Sequence, residues 1–332
     1  MTGSRVPRVC HRGAVLGPAA PEPFDPGLLR RGRDLRASGV EPARGGWHHV
    51  RHGVWVPDRE WRSLLPEQRH AALVHATALC LGRQRPVFAL TSAAAVLGLP
   101  RIEAWPDAVC VLVGDQHRGR GSSMVRPHVG RPDAGMTRHG ITVTSPARTV
   151  VDLARTGSLA TAVAAADHAL RHGLCSAAEL AAEVDAVAPR VRGRTTARLV
   201  GALADPLSMS PGESLSRVQM YLLNVPRPVL QREVSDAEGV IGIVDFGWDG
   251  VVGEFDGRVK YRVAEGTDPA DATEVLWREK RREDRLRRQV RVARWTWDVA
   301  LDRGRLGRRL AEHGIRSQPV NTWVDLGGRR AG

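Results

Sequence analysis

Ile243-Val244-Asp245-Phe246-Gly247-Trp248-Asp249-Gly250-Val251-Val252-Gly253-Glu254-Phe255-Asp256 reads as two apolar runs on either side of an Asp-Gly pair. Asp-Gly suits a two-residue hairpin turn, because both central positions need a backbone that glycine and aspartate tolerate. A turn at 249 and 250 pairs 248 with 251, 247 with 252, 246 with 253 and 245 with 254. Asp245 then faces Glu254, and Asp256 follows on the same face because side chains alternate along a strand. The other face carries Val244, Phe246, Trp248, Val251 and Phe255, a candidate core face whose burial fixes the register. Carboxylates so opposed sit about 5 Å apart. They repel by about 1 kcal/mol in water and about 3 kcal/mol at an effective dielectric of 20. A hard divalent cation, Mg²⁺ or Mn²⁺, removes that penalty and activates water for phosphodiester hydrolysis. The other reading is a solvated acidic face, or acids neutralised by arginines, of which Arg258 and Arg262 are nearby in sequence. The hairpin alone leaves both open.

Working outward, Ser210-Pro211 opens a helix that runs to about Leu223, and Val229 to Val234 makes a strand ahead of the hairpin. A charged helix follows over about 273–289, then a strand over Val290 to Trp297, giving the order α-β-β-β-α-β. Glu213 lies three residues after Ser210. That spacing fits a capping box as well as a further acid near the hairpin. The charged helix carries Arg278, Lys280, Arg281 and Arg285 among a surplus of cations, which suits either a solvated face with i,i+4 pairs or contact with a DNA backbone. Trp295 and Trp297 are assigned to the core.

With Ile243 to Phe246, Val252 to Tyr261, Glu279 to Leu286 and Val292 to Trp297 in this order, segment 210–300 resembles the restriction-endonuclease-like PD-(D/E)xK superfamily, and most of all its very-short-patch-repair-related branch. The resemblance implies that Asp245 and Glu254 ligate Mg²⁺ (or Mn²⁺), with Glu213 as a further acid. The superfamily usually places Lys two residues after the Glu, and Asp256 stands there instead. Lys260 is the nearest ammonium, and it is one of only two lysines in the chain.

Before this lies a different composition. Residues 1–26 hold Pro18, Pro21, Pro23 and Pro26 and read as a flexible tail. The hairpin from Trp47 to Pro57 sets Trp47, Val54 and Val56 inward, with His49, Arg51 and His52 among the basic and imidazole side chains between them. His48, His49 and His52 are assigned to solvent or phosphate, and His168 and His172 to a helix surface, not to a metal. Residues 28–57 resemble a shortened winged-helix unit of AbiEi-type antitoxins. Phe88 to Ala95 and Ile141 to Ala154 resemble that family's middle domain. The resemblance implies DNA binding.

The chain has 332 residues, a formal charge of +13 and 42% hydrophobic residues, which suit several folded domains and a polyanionic partner. No apolar run reaches the roughly 20 residues of a membrane helix, and four scattered cysteines make no zinc or disulfide pattern. A cytoplasmic location without membrane contact is the expectation. No P-loop, nucleophile elbow or HExxH motif occurs. The fold class expected is α/β in the wider α+β multi-domain sense. It comprises a winged-helix-like region at 27–62, a mixed middle domain at 63–206, a restriction-endonuclease-like αβββαβ domain at 207–316 and a tail at 317–332. Two functions compete. One is a DNA endonuclease using Asp245, Glu254, Asp256, Lys260 and Glu213. The other is a non-catalytic regulator of the toxin–antitoxin class. In either, DNA is bound through His49, Arg51, His52, Arg258, Arg278, Lys280, Arg281 and Arg285. A homo-oligomer and a cognate toxin stay open.

Overall fold

A computed structural model of the chain describes residues 23–82, 85–114, 124–131, 133–257 and 269–324. The first unit runs β1 (Arg30–Arg31), α1 (Gly32–Ala37), a 3-10 turn at Pro42–Arg44, β2 (Trp47–Arg51), β3 (Val54–Pro57), α2 (Asp58–Ser63) and α3 (Pro66–Leu81). Its sheet has the order β1-β3-β2. The hairpin turns at His52-Gly53, where Gly53 takes φ +70°, a left-handed conformation that glycine adopts without a Cβ clash. Val54 and Val56 are buried with Phe24 and Leu29 against Ala71, Ala72 and Ala76 of α3. Those alanines let the sheet approach the helix closely.

The middle unit comprises β4 (Val87–Phe88), α4 (Leu90–Leu97), β5 (Val109–Val113), β6 (Val125–Val129), β7 (Met136–Arg138), β8 (Ile141–Val143), α5 (Pro146–Thr156), α6 (Leu159–Arg171), α7 (Ala177–Asp185) and α8 (Arg194–Leu203). Its mixed sheet has the order β6-β5-β4-β8-β7. Serines cap three of the helices: Ser145, Ser158 and Ser176 each accept the N–H of the residue three further on. Pro146 occupies the first turn of α5, where its missing N–H costs nothing.

The third unit runs α9 (Pro211–Leu222), β9 (Val229–Asp236), β10 (Gly239–Trp248), β11 (Val251–Phe255), α10 (Pro269–Gln289), β12 (Arg291–Trp295), α11 (Trp297–Ala300) and α12 (Arg303–Glu312). The helix-and-strand order is the one expected, and the architecture as a whole is α+β and multi-domain. The sheet order is β12-β11-β10-β9, with β11 and β12 parallel and joined through α10. Trp297 does not extend the last strand. It opens α11, with its ring edge-on to Phe255 at 5.2 Å.

One apolar core spans the middle and third units. It takes in Val150, Ala162, Ala165 and Leu203, then Leu215, Val218 and Met220 of α9, then Phe246, Trp248, Phe255 and Trp295, and Leu306 and Leu310 of α12. A polar joint is buried in the same seam. Asp167 of α6 accepts the Ser214 hydroxyl at 2.7 Å and the Asp205 N–H at 2.7 Å, and it faces Arg217 of α9 at 3.3 Å. A smaller core (Val234, Ile241, Val244, Val252 and Leu286) lies beneath α10 on the other side of the third sheet.

Candidate functional site

The 246–253, 247–252 and 248–251 pairs form as the Asp-Gly turn requires. The ladder ends there, and the expected 245–254 pair does not form. Instead the Asp245 carboxylate accepts the Phe255 N–H at 2.7 Å, in the place of a main-chain carbonyl. The expected core face is also interrupted. Phe246, Trp248, Val251 and Phe255 enter the large core, whereas Val244 enters the small one with Val252 and Leu286. Strand β10 therefore changes its buried side at Asp245. Across from Asp245, between the pairs Val244–Arg232 and Phe246–Leu230, Gln231 has φ +48°. A non-glycine residue with positive φ is uncommon, and here it coincides with the switch of faces.

Glu254 shares the α10 side of the sheet with Val252. Arg282 of α10 donates to its Oε1 at 2.8 Å, and Arg294 of β12 donates to its Oε2 at 2.8 Å. Arg294 also reaches Glu283 at 3.2 Å, and Glu283 pairs with Arg287 at 2.5 Å. Burial pulls the Arg294 guanidinium down, but Glu254 and Glu283 together hold it above its ordinary value. Two carboxylates and three guanidiniums thus alternate across α10 and β12. Both Glu254 oxygens meet cations already, so the donor set does not fit a magnesium ion. Among the described residues no group of three His, Cys, Asp or Glu is placed to hold a metal.

Glu213 is buried at the start of α9 and serves as a cap. It accepts the Met209 N–H at 2.8 Å and the Ser210 hydroxyl at 2.8 Å, while its own N–H donates to Ser210 Oγ at 3.2 Å. Gln231 also donates to it at 3.3 Å. Asp256 is half-buried just past β11, and its N–H donates to the Trp295 carbonyl. Lys260 and Arg258 lie outside the described residues, as does the side chain of Arg278.

The remaining cations divide by what they face. Arg285 is taken up by Asp236 and Glu238, so it stitches α10 to the β9–β10 turn instead of standing free for a phosphate. Lys280 and Arg281 are exposed, and the Lys280 ammonium lies 5.4 Å from the Trp277 ring. In the first unit His49 is exposed beside Trp55, and His52 is exposed at the hairpin turn. Arg51 departs from its expected role at a DNA surface. It is buried, donating to Thr77 Oγ1 at 2.9 Å and to the Met124 carbonyl at 3.0 Å. A bulge between His49 and Arg51 turns it inward, toward α3. Alternation alone does not reveal such a bulge. The surface of this unit instead presents Arg33 and Arg36 on α1, Arg44 on the 3-10 turn and His49 on β2. No local signal marks these three arginines for DNA: Arg33 and Arg36 lie in an Arg-rich helical stretch from Leu28 to about Ala37, and Arg44 stands just before Gly45-Gly46.

This first unit is seated on the middle unit. Ala95 of α4 joins its small core, and the Arg51 guanidinium bridges to the main chain at Met124. Among the described residues no helix is long and apolar enough to cross a membrane. A search of curated proteins finds no match. Residues 87–201, about a third of the chain, match the family model of the AbiEi antitoxin C-terminal domain.

Proposed function

We propose that this chain is a DNA-binding regulator of the antitoxin class, and that it works without a catalytic centre in its third unit. The observation that carries this reading is the pairing of two parts. A domain similar to the AbiEi antitoxin C-terminal domain is preceded by, and packed against, a small basic unit of β1-β3-β2 order. Such a unit binds DNA by placing short helical and hairpin elements at the grooves, with arginines fixing register on phosphates. Arg36, Arg44 and His49 are exposed for that contact, and Arg33 is exposed beside Asp34, with which it pairs at 3.3 Å. The third unit supports the same reading, because Glu254 is neutralised by Arg282 and Arg294 and Glu213 is spent on capping.

The test is a mobility-shift titration of the full chain against DNA from upstream of its own reading frame, with random duplex as competitor. Retardation that resists the competitor, and that R33A/R36A/R44A weakens by tenfold or more, supports the reading. Equal affinity for the two duplexes refutes it. The antitoxin half is read by growth of cells that express the neighbouring reading frame with and without this chain. A parallel incubation of plasmid with Mg²⁺ or Mn²⁺ is expected to leave it uncut.

A further inference from the structure

We propose that the third unit carries a second contact for a nucleic-acid backbone, in an open cleft at the turn end of the β10–β11 hairpin. This deepens the DNA-binding reading and rests on it. The cleft has a volume of about 630 Å³. Its walls are Gly250 at the hairpin turn, Arg287, Arg288 and Gln289 at the end of α10, Val290 just after it, Arg291 and Val292 of β12, and Glu312 and His313 at the end of α12. Small-molecule pockets are mostly apolar, whereas only Val290 and Val292 are apolar among these lining residues. The lining therefore favours a charged, extended partner over a compact organic ligand.

The charge balance points to phosphate. Residues 269–316 hold fourteen Lys and Arg against eight Asp and Glu, nearly half of the chain's +13. Several other arginines of this unit are taken up: Arg282 and Arg294 by Glu254, Arg285 by Asp236 and Arg287, at the cleft wall itself, by Glu283. The cleft's acid, Glu312, is paired with Arg309 at 3.2 Å. Arg288 and Arg291 are exposed and have no ion-pair partner among the described residues. The Arg291 N–H donates to the Gly250 carbonyl, which fixes the start of β12 against the turn. Two helix C-termini meet here, each with a partial charge of about −0.5. Two full guanidinium charges exceed that, so the cleft stays positive. A guanidinium fork matches phosphate oxygens better than a point charge does. Glu254 is three residues from Val251 along β11, so the cleft lies roughly 10 Å from the neutralised acid and is separate from it.

The experiment is duplex binding by the full chain as a function of salt. Each phosphate contact contributes about 0.9 to the slope of log affinity against log salt. R288Q/R291Q is expected to make the slope shallower by about 1.8, so its deficit shrinks about tenfold between roughly 50 and 200 mM salt. R288K/R291K, which keeps the charge, is expected to restore most of the slope. Circular dichroism and the urea midpoint check that the variants fold. If R33A/R36A/R44A abolishes retardation while R288Q/R291Q leaves slope and affinity unchanged, the cleft proposal falls and the first-unit proposal stands. A cleft that serves an acidic protein partner gives that same unchanged slope and overturns the proposal. A wild-type chain that binds no duplex at any salt overturns both.

Discussion

Glu254→Gln separates the two roles open to the hairpin acid by the sign of its effect. In an ion-binding pair, two carboxylates repel when no metal is present, and removing one charge stabilises the metal-free protein by about 1–3 kcal/mol. In the arrangement observed, Glu254 neutralises two guanidiniums at 2.8 Å, and its side chain is only 15% exposed. Exposed pairs contribute about 0.2–1 kcal/mol, and breaking a fully buried pair costs about 3–5 kcal/mol. Arg282 and Arg294 are 25% and 33% exposed, so this case falls between those limits. The amide keeps the shape and one acceptor oxygen, and Arg294 retains Glu283. A loss of about 1–3 kcal/mol follows. The assay is urea unfolding of wild type and variant in EDTA, repeated with millimolar Mg²⁺, with the slope on denaturant held constant as the check that only stability moved. A variant more stable than wild type in EDTA would falsify the clamp. Wild-type stabilisation by Mg²⁺ that the variant lacks would refute it equally.

Three further outcomes follow from the packing. A Cβ at Gly212 would overlap the Phe255 ring, so G212A should cost about 1–3 kcal/mol or more by overpacking the α9–β11 contact; an unchanged urea midpoint contradicts that contact. Burial pushes the Asp167 carboxyl up to about 6 despite Arg217 beside it. A raised acid means the native state binds more protons than the unfolded chain between about pH 4 and 6, so stability falls as pH rises through that window, by about 3 kcal/mol, and levels off above it. The difference in pH–stability profile between wild type and D167N reads this directly, and parallel profiles count against it. Arg51 is buried with Nη1 unpartnered, so R51M should change stability by no more than about 1 kcal/mol. It should also leave DNA affinity within about twofold, since the guanidinium makes no phosphate contact. A tenfold loss of affinity in a folded variant places Arg51 at the DNA after all.

The elements of the third unit were legible because their signals are local. Asp249-Gly250 set the turn, and alternation from Phe246 to Val251 set the register that the ladder keeps. Ser210 and Glu213 announced a helix start and then formed one. What local signals did not carry was the sign of the acids' surroundings. Arg282 is 28 positions from Glu254 and Arg294 is 40, and only the parallel pairing of β11 with β12 sets Arg294 directly opposite Glu254. The nearer arginine, Arg258, offered the same neutralisation in sequence and lies outside the described residues. The switch of faces at Asp245 was hidden for a related reason. It depends on the backbone of Gln231 in the neighbouring strand, and glutamine carries no propensity for positive φ.

The seam between the middle and third units bears on how such a chain could respond to DNA. A flexibly tethered unit would add only local concentration to the proposed DNA contact of the first unit. Here Asp167, Ser214 and Arg217 lock α6 to α9 within a shared apolar core, and α3 and α4 carry the first unit's sheet on the same body. Arg33 and Arg36 on the first unit and Arg288 and Arg291 on the third are therefore presented at a spacing set by packing. A duplex that engages both sets must match that spacing, whereas a tether would accept many. If both contacts form, weakening the seam with S214A should loosen the dependence of affinity on duplex length without removing either contact. If only the first unit binds, affinity should not depend on duplex length beyond that unit's own site, with or without Ser214. Mobility shifts on a ladder of duplex lengths distinguish the two, and a wild-type length profile that is flat would mean that rigidity serves stability here and not recognition.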